Sequence, residues 1–194
     1  MSAAAVGRAM PGTITLADVA AMNADDRYGH RYELSPEGVL SVAPPPEFGH
    51  AVIATRLMAW LIRSDWPLEQ ILQAAGIRLS GADGDGGRIP DLTVWSRPQQ
   101  EGAVWPGTDD LLLAIEVVSR GSAAIDRIAK VAEYATAGIP QYWTVDRDPA
   151  QTVTMYRLES GHYETAMKVP LAWLLQTSPR EHLPSPGGEA AVQG

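Results

Sequence analysis

Two carboxylates stand where carboxylates are costly. Glu116 interrupts an otherwise apolar run, Leu111-Leu112-Leu113-Ala114-Ile115-Glu116-Val117-Val118, and Asp91 follows a proline in Ile89-Pro90-Asp91-Leu92-Thr93-Val94-Trp95. A buried, unpaired carboxylate is strongly destabilising, so a chain that threads one through a core strand must supply a cation or a proton for it. Alternate residues of a strand share a face, which sets Ala114, Glu116 and Val118 on one side and Leu113, Ile115 and Val117 on the other. Two kinds of partner would meet the need of Glu116. One is an arginine in a structural ion pair. The other is a divalent metal held by Asp91 and Glu116 from neighbouring strands and helped by the Val117 carbonyl, because Mg²⁺ takes one or two carboxylates and completes its shell with water and substrate phosphate.

Composition narrows the choice of metal. The chain of 194 residues has no cysteine, which excludes disulfides and thiolate metal sites and favours a hard cation such as Mg²⁺ or Mn²⁺ over structural zinc. The formal charge of −8 argues against a surface built mainly to grip a phosphate backbone. A local positive groove remains compatible with it, since Arg56, Arg63, Arg78, Arg88, Arg97, Arg120, Arg127 and Lys130 all fall mid-chain. No stretch approaches the roughly 20 apolar residues that cross a bilayer, and the first residues lack the apolar centre of a signal peptide, so no membrane partner and a cytoplasmic location are expected.

Hydrophobic content of 45% suits one domain over 13–176, with small-residue, Gly- and Pro-rich tails expected at 1–12 and 177–194. Thr15 before Leu16-Ala17-Asp18-Val19 predicts a capped helix within 14–26, and Tyr32-Glu33-Leu34 with Val39-Leu40-Ser41-Val42 predicts a hairpin around Pro36-Glu37-Gly38. Ile53, Leu57, Trp60 and Leu61 recur at helical spacing between about Glu47 and Arg63. Residues 71–79 and the Asp91 strand read as a long hairpin joined by the loop 80–87, whose Gly and Asp residues tolerate positive φ. Asp83-Gly84-Asp85-Gly86-Gly87 has some of the look of a calcium loop but lacks the distal glutamate, so it reads as a hairpin tip. After the Glu116 strand, Ser122 is the expected N-cap of a helix to about Ala137, which Gly138 and Pro140 terminate before a strand at 141–146. Thr152–Leu158 and His162–Ala166 form a closing hairpin, and Tyr142, Trp143, Trp60 and Trp95 read as core aromatics rather than base-stacking platforms. Asp146 reads as a turn initiator.

Several of these residues form a pattern. Tyr32-Glu33, Pro44-Pro45-Pro46 followed by His50, Ile89-Pro90-Asp91-Leu92, Ile115-Glu116-Val117-Val118-Ser119, Asp126 with Lys130 and Tyr134, Ala137-Gly138-Ile139-Pro140-Gln141-Tyr142-Trp143 and Val145-Asp146 together resemble the Uma-two family of bacterial proteins, grouped with the PD-(D/E)XK nucleases. The resemblance covers roughly residues 15–168. It implies an α/β (α+β) restriction-endonuclease-like core, a mixed central sheet flanked by helices, with hairpins at both ends. It also implies that Asp91 and Glu116 are the acidic metal ligands and that a lysine completes the site.

In the superfamily motif that lysine lies two residues beyond the second acid, where it can orient water and stabilise charge on phosphate. Here the position is Val118. The resemblance offers Lys130 from the following helix instead. A helical wheel points the other way: at about 100° per residue, Ile125, Ile128, Ala129 and Ala132 form the inward stripe and leave Asp126, Lys130, Glu133 and Tyr134 on the polar side. An Asp126–Lys130 pair at i,i+4 on a solvated face is therefore the competing reading. Glu33 and His50, at positions the family also fills, are accessory candidates as a metal or water ligand and as a substrate contact.

The expected activity is metal-dependent hydrolysis of DNA phosphodiester bonds by Asp91, Glu116 and Lys130 with Mg²⁺ or Mn²⁺. The alternative is a catalytically degenerate nuclease fold that serves as a binding or regulatory module. A homodimer is a candidate assembly through the exposed hairpin edges.

Overall fold

The computed structural model describes residues 13–63, 66–82, 84–119, 121 and 125–183. The expected N-terminal tail, Arg120, the Ser122 cap and Asp83 of the hairpin tip lie outside the described residues. Among the described residues, ten strands form two sheets. The first six in chain order are β1 (Arg31–Leu34), β2 (Leu40–Ala43), β3 (Ile71–Gln73), β4 (Ile77–Ser80), β5 (Asp85–Arg88) and β6 (Leu92–Trp95). They are followed by β7 (Leu111–Val117), β8 (Gln141–Val145), β9 (Thr152–Glu159) and β10 (His162–Pro170). The helices are α1 (Leu16–Asp25), α2 (Phe48–Ile62), α3 (Lys130–Thr136), which a π-helical turn over Ile125–Ala129 precedes, and the short α4 (Leu171–Leu174).

The larger sheet runs β10-β9-β8-β7-β6-β3, with β7 and β8 parallel and the other neighbours antiparallel. Along β7, Leu113, Ile115 and Val117 pack on α2 residues Ile53, Leu57, Trp60 and Leu61, while Ala114 faces a second apolar cluster with Tyr134, Ile139 and Tyr142. The alternation read from the sequence therefore holds, and it aims Glu116 toward α3. Tyr142, Trp143, Trp60 and Trp95 are all core residues. The mixed α+β architecture and the hairpins at both ends agree with the expected nuclease-like core.

The N-terminal hairpin does not join that sheet. β1 and β2 combine with β5 and β4 in a second sheet of order β2-β1-β5-β4. The expected long hairpin over 71–95 is divided accordingly. Ala74, at φ 51°, breaks the run so that β3 pairs with β6 in the large sheet while β4 turns away to pair with β5. The stretch read as a flexible loop contributes β5, and while Gly84 does take a positive φ, Gly86 and Gly87 serve close approach. A Cβ on Gly87 would lie 2.7 Å from Leu16 Cδ2 and 2.9 Å from Trp105 Cζ3, and one on Gly86 would lie 2.9 Å from the Leu34 carbonyl oxygen.

Residues 177–183, the described part of the stretch expected as a C-terminal tail, pack on the domain; 184–194 lie outside the described residues. Trp60 Nε1 donates to the Thr177 carbonyl, Gln141 Nε2 donates to the His182 carbonyl, and Leu183 is buried. Polar and proline-rich composition concealed these anchors because their partners are distant in sequence. Thr15 caps α1 in a reciprocal box with Asp18, and Gly138 adopts φ +73° at the end of α3, both as predicted.

Candidate active site

Asp91 immediately precedes β6, and Leu92 pairs with Ile115, so register alone sets Asp91 beside Glu116. Asp91 reaches across that seam: its Oδ2 accepts the Val117 N–H at 2.8 Å. Its Oδ1 lies 3.0 Å from Arg31 Nη1 and 2.9 Å from His50 Nε2. Burial would raise this carboxyl, but the His50 hydrogen bond, the charges of His50 and Arg31, and the Val117 N–H hold it below its usual range.

Glu116 is buried, and its partner is a lysine rather than an arginine. Lys130 Nζ donates to Glu116 Oε1 at 2.7 Å, and Tyr134 Oη donates to the same oxygen at 3.2 Å. The amine also lies 3.3 Å from Glu33 and 3.5 Å from Asp126 Oδ1. The helical wheel is overturned here. Asp126, Lys130 and Tyr134 are 2%, 4% and 0% exposed, whereas Ile128 is 72% exposed. The stripe at i, i+4 and i+8 turns inward because carboxylates on β7 and β1 await it, and ion pairing there outweighs the burial of Ile128. The π-helical turn over Ile125–Ala129 also departs from the α-helical pitch that the wheel assumed.

Glu33 sits on β1 as a counter-ion. Its Oε1 accepts the Ile89 N–H at 2.7 Å, and its Oε2 faces Arg88 Nη1 at 3.4 Å. Arg88 is 3% exposed and holds Glu133 of α3 through two hydrogen bonds of 2.7 and 2.6 Å. This arginine ties the small sheet to α3 and so fixes the height at which Lys130 meets Glu116. Sequence reading counted Arg88 among possible groove cations but did not assign it a place in the site, and it did not single out Arg31. The signal for Arg88 was its position next to the Ile-Pro-Asp segment.

Asp91, Glu116, Val117, Lys130, Glu33 and His50 all line one cleft of about 960 Å³, whose mouth carries Pro44–Glu47 and Asp146–Asp148. All the candidate site residues are thus brought to one place. Asp146 accepts from Arg127 and its N–H donates to the Thr152 carbonyl, as a turn residue would. Among the described residues, no three His, Asp or Glu side chains converge as a ligand set. A cation here would rest on two carboxylates, a carbonyl and water, which suits a hard ion.

The carboxylates of Glu33, Asp91, Glu116, Asp126 and Glu133 share the cations Arg31, Arg88 and Lys130, with His50 beside Asp91. Burial pushes the Glu116 carboxyl well above its usual range, and the charges of Asp126, Asp91 and Glu33 add to this against the pull of Lys130. Burial alone would lower the Lys130 amine, but Glu116, Glu33 and Asp126 hold it above its ordinary value.

Fold and cleft together define a nuclease-like α+β architecture. The same fold occurs in the crystal structure of a "putative nuclease belonging to DUF820" from Anabaena variabilis, with a TM-score of 0.53 and 22% identity over 69% of this chain and 75% of that one. The chain belongs to the Uma2 family, described as "Putative restriction endonuclease", whose sequence profile matches residues 16–180. A search of curated protein sequences returns no match. No helix among the described residues is long and apolar enough to cross a membrane.

Proposed function

We propose that this protein is a divalent-metal-dependent endonuclease that hydrolyses DNA phosphodiester bonds in the cleft. Asp91, Glu116 and the Val117 carbonyl would hold Mg²⁺ or Mn²⁺, and Lys130 would place water or phosphate. The observation that carries this reading is the 2.7 Å contact from Lys130 Nζ to Glu116 Oε1, which brings an amine to the second acid even though Val118 occupies the motif's usual lysine position. A bound dication would polarise a phosphoryl oxygen and lower the pKa of the attacking water.

The chain's own groups have separable roles. The raised pKa of Lys130 keeps the amine protonated, so it serves as a hydrogen-bond donor and positive charge toward water or phosphate and not as a general base. Tyr134 and Lys130 together fix one oxygen of Glu116, and His50 and the Val117 N–H fix the orientation of Asp91.

The test is a Mn²⁺ titration followed by thermal stability, comparing wild type with Asp91→Ala. Stabilisation of the wild type that Asp91→Ala loses is the expected result. Identical responses would remove the metal site and the activity with it. The second reading, a degenerate fold acting as a binding module, is favoured by the occupation of Asp91 Oδ1 by both Arg31 and His50. Metal binding without cleavage of single-stranded, double-stranded or branched DNA selects it.

A further inference from the structure

The three cations of the cluster are not held alike. Lys130 meets three carboxylates and its side chain is 5% exposed, while Arg88 joins Glu33 to Glu133 at 4%. Arg31 meets one carboxylate, Asp91, and its side chain is 21% exposed. It stands at the first residue of β1, opposite Ala43 in the register, and lines the cleft near its mouth. Asp91 Oδ1 already carries two donors, Arg31 and His50, so a cation approaching that oxygen must dislodge one of them. His50 sits in the first turn of α2 and its side chain is only 11% exposed. The longer, more exposed arginine is the one free to move.

Resting on the metal-dependent reading above, we infer that Arg31 is a displaceable counter-ion of Asp91: it competes with the incoming divalent cation and, once displaced, offers its guanidinium to substrate phosphate at the cleft mouth. A guanidinium is weakly hydrated and matches phosphate oxygens in a bidentate fork, which suits the second half of this role. The first half is electrostatic, since a positive group beside a ligand carboxylate opposes a dication at the same carboxylate. The two halves have opposite signs in experiment, which an ordinary structural ion pair does not produce.

The experiment uses the full chain and measures Mn²⁺ affinity by calorimetry without nucleic acid, then binding of a labelled DNA duplex with Ca²⁺. Arg31→Gln is expected to bind Mn²⁺ more tightly, by roughly tenfold, and the duplex several-fold more weakly. Equal or weaker Mn²⁺ binding by Arg31→Gln, in a protein whose wild type binds Mn²⁺ and whose Asp91→Ala variant does not, overturns the inference and leaves the metal reading standing. Absence of Asp91-dependent Mn²⁺ binding in the wild type instead removes the metal reading, and the displacement role falls with it. Should Arg31→Gln not fold, arginine side-chain NMR of the wild type decides. The Arg31 guanidinium resonance is expected to lose its carboxylate-bonded shift on Mg²⁺ saturation, and an unmoved signal overturns displacement.

Discussion

Lys130 Nζ meets Glu116 Oε1 at 2.7 Å, joining α3 to the middle strand of the large sheet at the floor of the cleft. Both groups are buried, and each changes what the other costs. With the amine in place the carboxylate has a donor and a counter-charge; without it, Glu116, Glu33 and Asp126 face one another across a desolvated gap.

Lys130→Met is therefore expected to lower stability by about 3–5 kcal/mol, the usual cost of leaving a buried charge uncompensated. Chemical denaturation with and without Mn²⁺ checks it. Part of the loss should return with the ion, because a dication can neutralise the same carboxylates. A loss under about 1 kcal/mol would mean that the amine is not a structural partner of Glu116.

Arg88 should behave as a positioning residue. Removing its guanidinium in Arg88→Met frees Glu133 and takes one of two cations from Glu33, which loosens α3 against β5 and costs about 3–5 kcal/mol. Arg88→Lys is expected to recover only part of this, since one ammonium cannot reproduce the two-bond grip on Glu133. Hydrogen exchange over 130–136 gives the local readout, and unchanged protection there in Arg88→Met would contradict the clamp.

Gly87 tests the packing of the small sheet. An alanine there would place its Cβ 2.7 Å from Leu16 Cδ2 and 2.9 Å from Trp105 Cζ3. The expected outcome of Gly87→Ala is overpacking by about 1–3 kcal/mol, read as a shift in denaturation midpoint at constant slope. A neutral substitution would show that α1 and Trp105 yield without cost.

The C-terminal anchor should depend on pH. Burial holds His182 below its usual value, with Glu181 opposing. The ring packs near Trp60, Trp143 and Trp173, and its Nε2 lies 2.7 Å from Thr177 Oγ1. A depressed histidine pKa means that the unfolded chain binds the proton more readily, so its contribution is complete above the unfolded value of about 6.5 and is lost as pH falls through the folded one. Tryptophan emission and exchange over 177–183 should report loosening of this segment below about pH 6, and His182→Asn should abolish that step.

The site was legible in part. Glu116 declared itself by interrupting an apolar strand, Asp91 by its place beside Pro90, and the alternation along β7 fixed which way Glu116 points. Capping at Thr15, the stop at Gly138 and the periodicity of α2 were equally readable, because each depends on residues within a few positions of one another. The π-helical turn, the division of 71–88 between two sheets and the docking of 177–183 were not, because the partners that decide them lie far along the chain.

By itself, the sequence determined the strand and helix order outside 71–88, the cysteine-free oxygen chemistry open to a metal, and the two acids that would hold one. The tertiary structure alone decided that the polar side of α3 faces inward, that Lys130 serves Glu116 where Val118 cannot, and that Arg31 and Arg88 belong to the cluster. The physical reason is range. Local propensity and periodicity describe one segment's own faces, whereas the pairing of buried charges depends on which segments meet, and here the gain from satisfying Glu116 and Glu33 outweighed the apolar preference of Ile128.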